Sequence, residues 1–370
     1  MKAIKTTLLI TCLLISTSIC YGTIFTADSN PGAVATATVL VGATALQDAI
    51  DAASDDDIIH VIRSTNSYGT VVVNKRLNIF GIGLFPDTDG AVRSTMSQMD
   101  IPDAIATGTR ISGMVITTIN LGAGTGALNN LLIENSQIRQ VVHVANTTTL
   151  NNLLIRNCIL GSNLSSGITI ELLFGFVSNV VIANNVIYGN TSLVAPNNGA
   201  LGSISTDQST IENNLIAHGR ASTQLFYAFQ ELRNSTVKNN IFYRMSPQGK
   251  AVLSQNSFEN NLSFDTFSDI FSTASSNTST NNLEGVDPQF VTVPNANNVG
   301  SLSTFDPSLI GGSPAEGTGT GTPPTDMGVY GGPIPFSLEG TLIPTIQELD
   351  VPSMVIEGNT LDVHIKAKGN

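Results

Sequence analysis

A short phrase keeps returning along this chain: an apolar or β-branched run, a polar residue, one or two asparagines and another apolar pair. It reads Leu132-Ile133-Glu134-Asn135, Leu154-Ile155-Arg156-Asn157, Val181-Ile182-Ala183-Asn184-Asn185, Thr210-Ile211-Glu212-Asn213-Asn214, Thr236-Val237-Lys238-Asn239-Asn240, Ser257-Phe258-Glu259-Asn260-Asn261 and Ser279-Thr280-Asn281-Asn282. The aligned residues Asn135, Asn157, Asn184, Asn213, Asn239, Asn260 and Asn281 step by 22, 27, 29, 26, 21 and 21 residues. Self-similarity at such a period marks a repeat architecture.

A period in the twenties admits leucine-rich repeats as well as β-solenoids. The apolar residues here are Ile, Val and Phe in runs too short for a helical pattern, which favours strands. Irregular spacing around a fixed phrase fits coils whose strands stack in register while the loops between them vary. Asparagine suits a sharp corner because its short amide side chain tolerates the left-handed region. The stacked corner residues are expected to form an amide ladder, each side chain bonded to the next.

These residues resemble the right-handed parallel β-helix proteins, the pectate-lyase-like solenoids of secreted bacterial type. Besides the asparagine phrase, the segment from Leu46 through Asp55-Asp56-Asp57 to Val61 is similar to the opening of such proteins, a short capping helix followed by a first strand. Downstream, Val286-Asp287-Pro288-Gln289-Phe290, Gly312-Ser313-Pro314-Ala315 and Asp326-Met327-Gly328-Val329-Tyr330-Gly331-Gly332 resemble the tail that closes many of them; Glu316-Gly317 depart from the usual continuation. The resemblance implies an all-β, single-stranded right-handed parallel β-helix, with an N-terminal capping helix. It also implies activity on acidic polysaccharides wherever such a protein is an enzyme.

Composition agrees with a stacked solenoid. The chain has 370 residues, 41% of them apolar, and only 12% are charged, about half the usual share. Its net charge is −12, with no basic stripe to neutralise phosphates, so no nucleic-acid partner is expected. Lys2 and Lys5 before an apolar stretch from Thr6 to Ile19 read as a secretory signal peptide over residues 1–22, too short for a membrane span. Its removal takes the charge from −12 to −14 and Cys12 and Cys20 with it. Cys158 would then stand alone, with no intrachain disulfide, as a small buried substitute in the asparagine column. A secreted or cell-surface monomer without a transmembrane span or a cofactor is expected.

Along the chain, residues 23–57 read as a lead-in and N-terminal cap, 58–284 as a continuous stack of roughly eight to ten coils, and 285–336 as a Gly/Pro-rich closing segment. Gly113 takes the corner position of its coil, and residues 189–200 read as a surface loop. Residues 337–370 alternate with period two around a turn at Glu357-Gly358-Asn359, which predicts a C-terminal β-hairpin cap.

For chemistry, hydrolases on this scaffold need clustered carboxylates, and calcium-dependent lyases need carboxylates with an Arg or Lys base. Between residues 104 and 264 there is one aspartate, Asp207, and five glutamates. Glu134, Arg156, Ala183, Glu212, Lys238 and Glu259 share the position before the corner asparagine, so their charges pair along a column, each pair contributing about 0.2–1 kcal/mol. A better acid/base set follows the corner. Tyr188, Ala217 and Tyr243 align in one column and Gly189, His218 and Arg244 in the next, with Arg220 close by. His218, Tyr243, Arg244 and Arg220 are the catalytic candidates for β-elimination. On a second face, alternation points His143, Thr169 and Glu171 outward, and Tyr188, Tyr227 and Lys250 join His143 and Glu171 as candidate sugar contacts. No metal-ligand spacing, nucleophile elbow or phosphate-binding loop is present. Two functions remain open: a non-catalytic glycan-binding or structural rod, and a polysaccharide lyase or related enzyme acting on acidic polysaccharide.

Overall fold

The structure is a computed structural model that describes residues 22–84, 92–161, 168–188, 204–219, 225–294 and 306–337, and the backbone of Thr345–Asp350 and His364–Lys368. The expected signal segment, Arg220, the loop at 189–200 and the turn at 357–359 lie outside the described residues, apart from Gly22. The described chain is nearly all parallel β-structure, compatible with a β-solenoid. A twelve-stranded sheet begins with Val39–Val41 and Ile24–Asp28. It then follows chain order from Ile58–Val61 through Leu132–Glu134, Leu154–Arg156, Val180–Ala183 and Ser209–Glu212 to Thr278–Thr280. Equivalent phrase residues stand opposite one another, Ile133 to Ile155 to Ile182 to Ile211 to Val237 to Phe258, so the sequence repeat is the sheet register.

Two left-handed residues bracket most of these short strands. The corner asparagines 135, 157, 184, 213, 239, 260 and 281 all have φ between +48° and +57°, and Gly113 takes their place at +75°. At the opposite end of the strands Asn130, Asn152, Asn179, Gln208, Asn234 and Gln255 have φ from +46° to +58°. A non-glycine residue reaches this region most cheaply when it is asparagine, which explains why the phrase is written in that residue.

The amide ladder forms one residue later than the sequence predicts. Asn185 donates Nδ2 to Asn214 Oδ1 at 3.0 Å, Asn214 to Asn240 at 2.9 Å, Asn240 to Asn261 at 3.0 Å and Asn261 to Asn282 at 2.9 Å. The corner residue turns its side chain outward, so the residue after it is the one that points inward. Cys158 occupies this inner column and donates its backbone N–H to Asn185 Oδ1.

A second sheet of fourteen strands forks at Gln137–His143. Gln137 and Ile138 pair with Ile159 and Leu160, whereas Val141 and Val142 pair with Ile170 and Glu171. One branch continues through Val186–Tyr188, Leu215–Ala217, Ile241–Tyr243 and Leu262–Phe264. The other continues through Ile204–Asp207, Tyr227–Arg233 and Ser246–Ser254. The three long steps of 27, 29 and 26 residues carry their extra length between the two branches, which is why the spacing varies while the phrase does not. Thr148–Asn151 lies between Gly126–Asn129 and Val177–Ser178 in a third, parallel sheet.

The interior is aliphatic at first and becomes aromatic, with Phe229, Phe242, Phe258 and Phe271 meeting at ring separations of 5.6–6.4 Å. The helix Ala45–Ala52 buries Ala45, Leu46, Ala49 and Ile50 against the first strands. Lys75 Nζ donates to the carbonyls of Ile50, Asp51 and Ala53, a cation on the helix C-terminus. No helix among the described residues is long and apolar enough to cross a membrane.

The closing segment runs back along the corner asparagines. Asn260 Nδ2 donates to Thr318 O, Asn239 exchanges bonds with Thr320, Asn213 Nδ2 reaches Asp326 O and Gly328 O, and Asn184 Nδ2 reaches Val329 O and Gly331 O. A Cβ at Gly331 would lie 1.8 Å from Asp326 O and 2.5 Å from Asn213 Nδ2, so only glycine permits this approach. Under the segment, Tyr188, Leu215, Ala217, Tyr243 and Leu262 join Phe290, Met327, Val329 and Phe336 in a second apolar layer. Thr345–Asp350 and His364–Lys368 pair antiparallel, as the period-two alternation predicts.

Candidate functional site

The first of the two predicted columns is present, Tyr188 opposite Ala217 and Ala217 opposite Tyr243, whereas Gly189 of the second column lies outside the described residues; beside the first, His218 N–H donates to Tyr243 O at 3.0 Å. Their side chains are buried. His218 is 1% exposed and stacks on Phe226 at 3.5 Å between ring centroids. Tyr243 and Tyr188 lie in the apolar layer beneath the closing segment, and burial pushes the Tyr188 hydroxyl up to about 12. Burial also raises Tyr243. Arg244 is held by Asp265 at 2.7 Å and by Pro294 O at 3.0 Å, with its guanidinium 5.0 Å from the Tyr243 ring centre.

The second predicted face needs correction. His143 and Thr169 are buried; for His143 the cause is that the strand Gln137–His143 changes the side it presents between Ile138 and Val141, so that Ile138, Val141 and His143 are the buried positions and a strict alternation fails. Glu171, Tyr227 and Lys250 remain partly exposed on one branch of the forked sheet. They sit on three different strands, with Ile204–Asp207 between that of Glu171 and that of Tyr227, and Tyr227 packs edge-on against Phe267 at 4.9 Å. Among the described residues, no three His, Cys, Asp or Glu side chains come together as metal ligands.

The predicted charge column forms in part on the outer face of the twelve-stranded sheet: Glu134 pairs with Arg156 and Glu212 with Lys238, whereas Glu259 accepts from Ser257 Oγ at 2.6 Å rather than pairing with Lys238. Glu134, 2% exposed, is clamped by two arginines. Arg156 donates Nε at 2.9 Å and Nη2 at 2.7 Å to Oε2, while Arg110 donates Nε at 2.7 Å, and also Nη2, to Oε1. Two guanidinium charges therefore share one carboxylate. Further along, Lys238 pairs with Glu212 at 2.9 Å.

Between these two ionic groups the column holds Ala183, opposite Arg156 on one side and Glu212 on the other. The missing side chain opens a groove of about 460 Å³. Leu154, Val181 and Ala183 form its floor, and Asn152 and Asn179 rim one side. Asn184, Pro333 and Ile334 wall the other, and Arg156 and Glu212 stand at its ends. Two strand spacings separate Arg156 from Glu212, roughly 9.6 Å. An apolar floor with a few convergent polar groups can hold a small organic unit by its apolar face and fix its orientation by hydrogen bonds. Ala183 was the visible signal, one small residue in a column of charges. The wall could not be read locally, because Pro333 and Ile334 arrive about 150 residues later in the chain. No protein family and no curated protein was found to match the chain.

Proposed function

We propose that this protein is a secreted or cell-surface right-handed parallel β-helix, of pectate-lyase-like architecture and capped by its N-terminal helix, that binds glycan without cleaving it. The observation that carries the reading is the groove over Ala183, whose apolar floor, amide rim and ionic ends suit one unit of a saccharide chain lying across the strands. The burial of His218 and Tyr243 and the engagement of Arg244 by Asp265 support binding over β-elimination, since a general base must reach the proton it removes.

The test is retention of the purified mature chain by a panel of neutral and acidic polysaccharides, with unsaturated-uronate absorbance and new reducing ends followed together. Retention without products is expected, and Val181→Asp should abolish it while leaving far-UV circular dichroism unchanged. Product release, or retention indifferent to Val181→Asp, overturns the reading.

A further inference from the structure

Resting on that reading, we infer that the groove selects a 2-acetamido sugar, with the acetamide methyl on Ala183 and its amide group held between Arg156 and Glu212. A trans amide presents its carbonyl oxygen and its N–H in opposite directions, and the groove presents a donor and an acceptor in opposite directions from one small residue. Arg156 commits Nε and Nη2 to Glu134, which leaves Nη1 to donate to a carbonyl oxygen. Lys238 binds Oε2 of Glu212, which leaves Oε1 to accept from an N–H.

The span agrees. An amide O to N distance with a hydrogen bond at each end covers about 8 Å, against roughly 9.6 Å between the two strands, a difference long side chains absorb. The methyl then lies on Ala183, with Leu154 and Val181 under the ring and Asn152 and Asn179 beside its hydroxyls. A plain hexose carries a hydroxyl in place of the acetamide. It would leave the methyl-sized notch empty and satisfy only one of the two ionic groups.

The N-acetylglucosamine trimer and the glucose trimer have the same backbone linkage and separate the two cases by calorimetry. The acetamido trimer should bind at least roughly ten-fold more tightly, the scale of one charge-assisted hydrogen bond. Ala183→Gln, which fills the notch without adding charge, should erase that preference, and Glu212→Ala should weaken the acetamido trimer alone. Circular dichroism on each variant reports folding. Equal affinity for both trimers, or a preference that survives Ala183→Gln, overturns the acetamide assignment while leaving a glycan groove in place. Failure of the wild-type protein to be retained by any polysaccharide overturns both.

Discussion

Asn184 donates its side-chain amide to the backbone carbonyl of Val329, 145 residues later in the chain, at 2.9 Å. The same residue turns the corner of its own repeat at φ +53°. One asparagine thus serves two tasks: its backbone ends a strand, and its outward amide fastens the segment that covers the next face.

Asn184→Gly separates those tasks, since glycine adopts the corner conformation freely and has no amide. Two hydrogen bonds to buried carbonyls disappear, and a loss of about 1–3 kcal/mol in urea unfolding is expected. Limited proteolysis should cut within 312–336 sooner than in wild type. An unchanged cleavage rate would show that the apolar layer alone holds the segment.

Asn240→Ala strikes the inner ladder. Asn240 Nδ2 donates to Ile211 O, Lys238 O and Asn261 Oδ1, and Oδ1 accepts from the Asn214 backbone N–H and amide. Truncation leaves several buried groups without partners, so the loss should reach about 3 kcal/mol or more. Equilibrium unfolding measures it, and a cost under about 1 kcal/mol would mean that the ladder only accompanies the sheet.

Glu134→Gln leaves Arg110 and Arg156 facing each other without the carboxylate they share. The arginines are partly exposed, so solvent screens part of the repulsion, and the expected cost lies below the about 3–5 kcal/mol of a fully buried pair. Added salt should recover part of the lost melting temperature. A melting temperature indifferent to salt would contradict a charge clamp.

His143 predicts the pH response. The ring is buried at 2% exposure, and burial lowers its pKa below the ordinary 6.5, opposed in part by a hydrogen bond with the Thr148 backbone. The unfolded chain then binds the proton more readily than the folded one. Stability is full above about 6.5, falls as pH drops below that value and stops falling once the folded ring also protonates. His60, lowered by the same cause, adds in the same direction. Melting temperatures from pH 7.5 to 5 should therefore decline, and His143→Leu should flatten the decline; identical slopes would refute the assignment.

Cys158 should resist thiol reagents in the native mature chain and react fully in denaturant. Its thiol is fully buried and pushed up to about 12, chiefly by desolvation. Rapid native labelling would reveal opening of the inner column.

The repeat was legible because each phrase contains its own strand and corner, and Asn135 to Asn281 define both register and backbone conformation. The charge column followed from the same alignment, as Glu134 with Arg156 and Glu212 with Lys238 demonstrate. What the alignment could not carry was the side of the wall on which each column falls. The ladder moved by one residue because the corner reverses facing, and His143 turned inward because its own strand breaks alternation between Ile138 and Val141. The covering of Tyr188 and Tyr243 depended on Met327 and Val329, whose approach no local pattern encodes.

The fork at Gln137–His143 places every surplus residue of the long repeats between two branches that pair independently. Length can therefore be added or removed at that seam while the twelve-stranded sheet keeps its phrase register, the branch through Ile204–Asp207, Tyr227–Arg233 and Ser246–Ser254 answering with register shifts at Ile204/Ser205 and along Tyr227–Glu231. The chain keeps an unvarying frame beside a margin where new text can be written, which makes the seam the natural place to graft foreign loops.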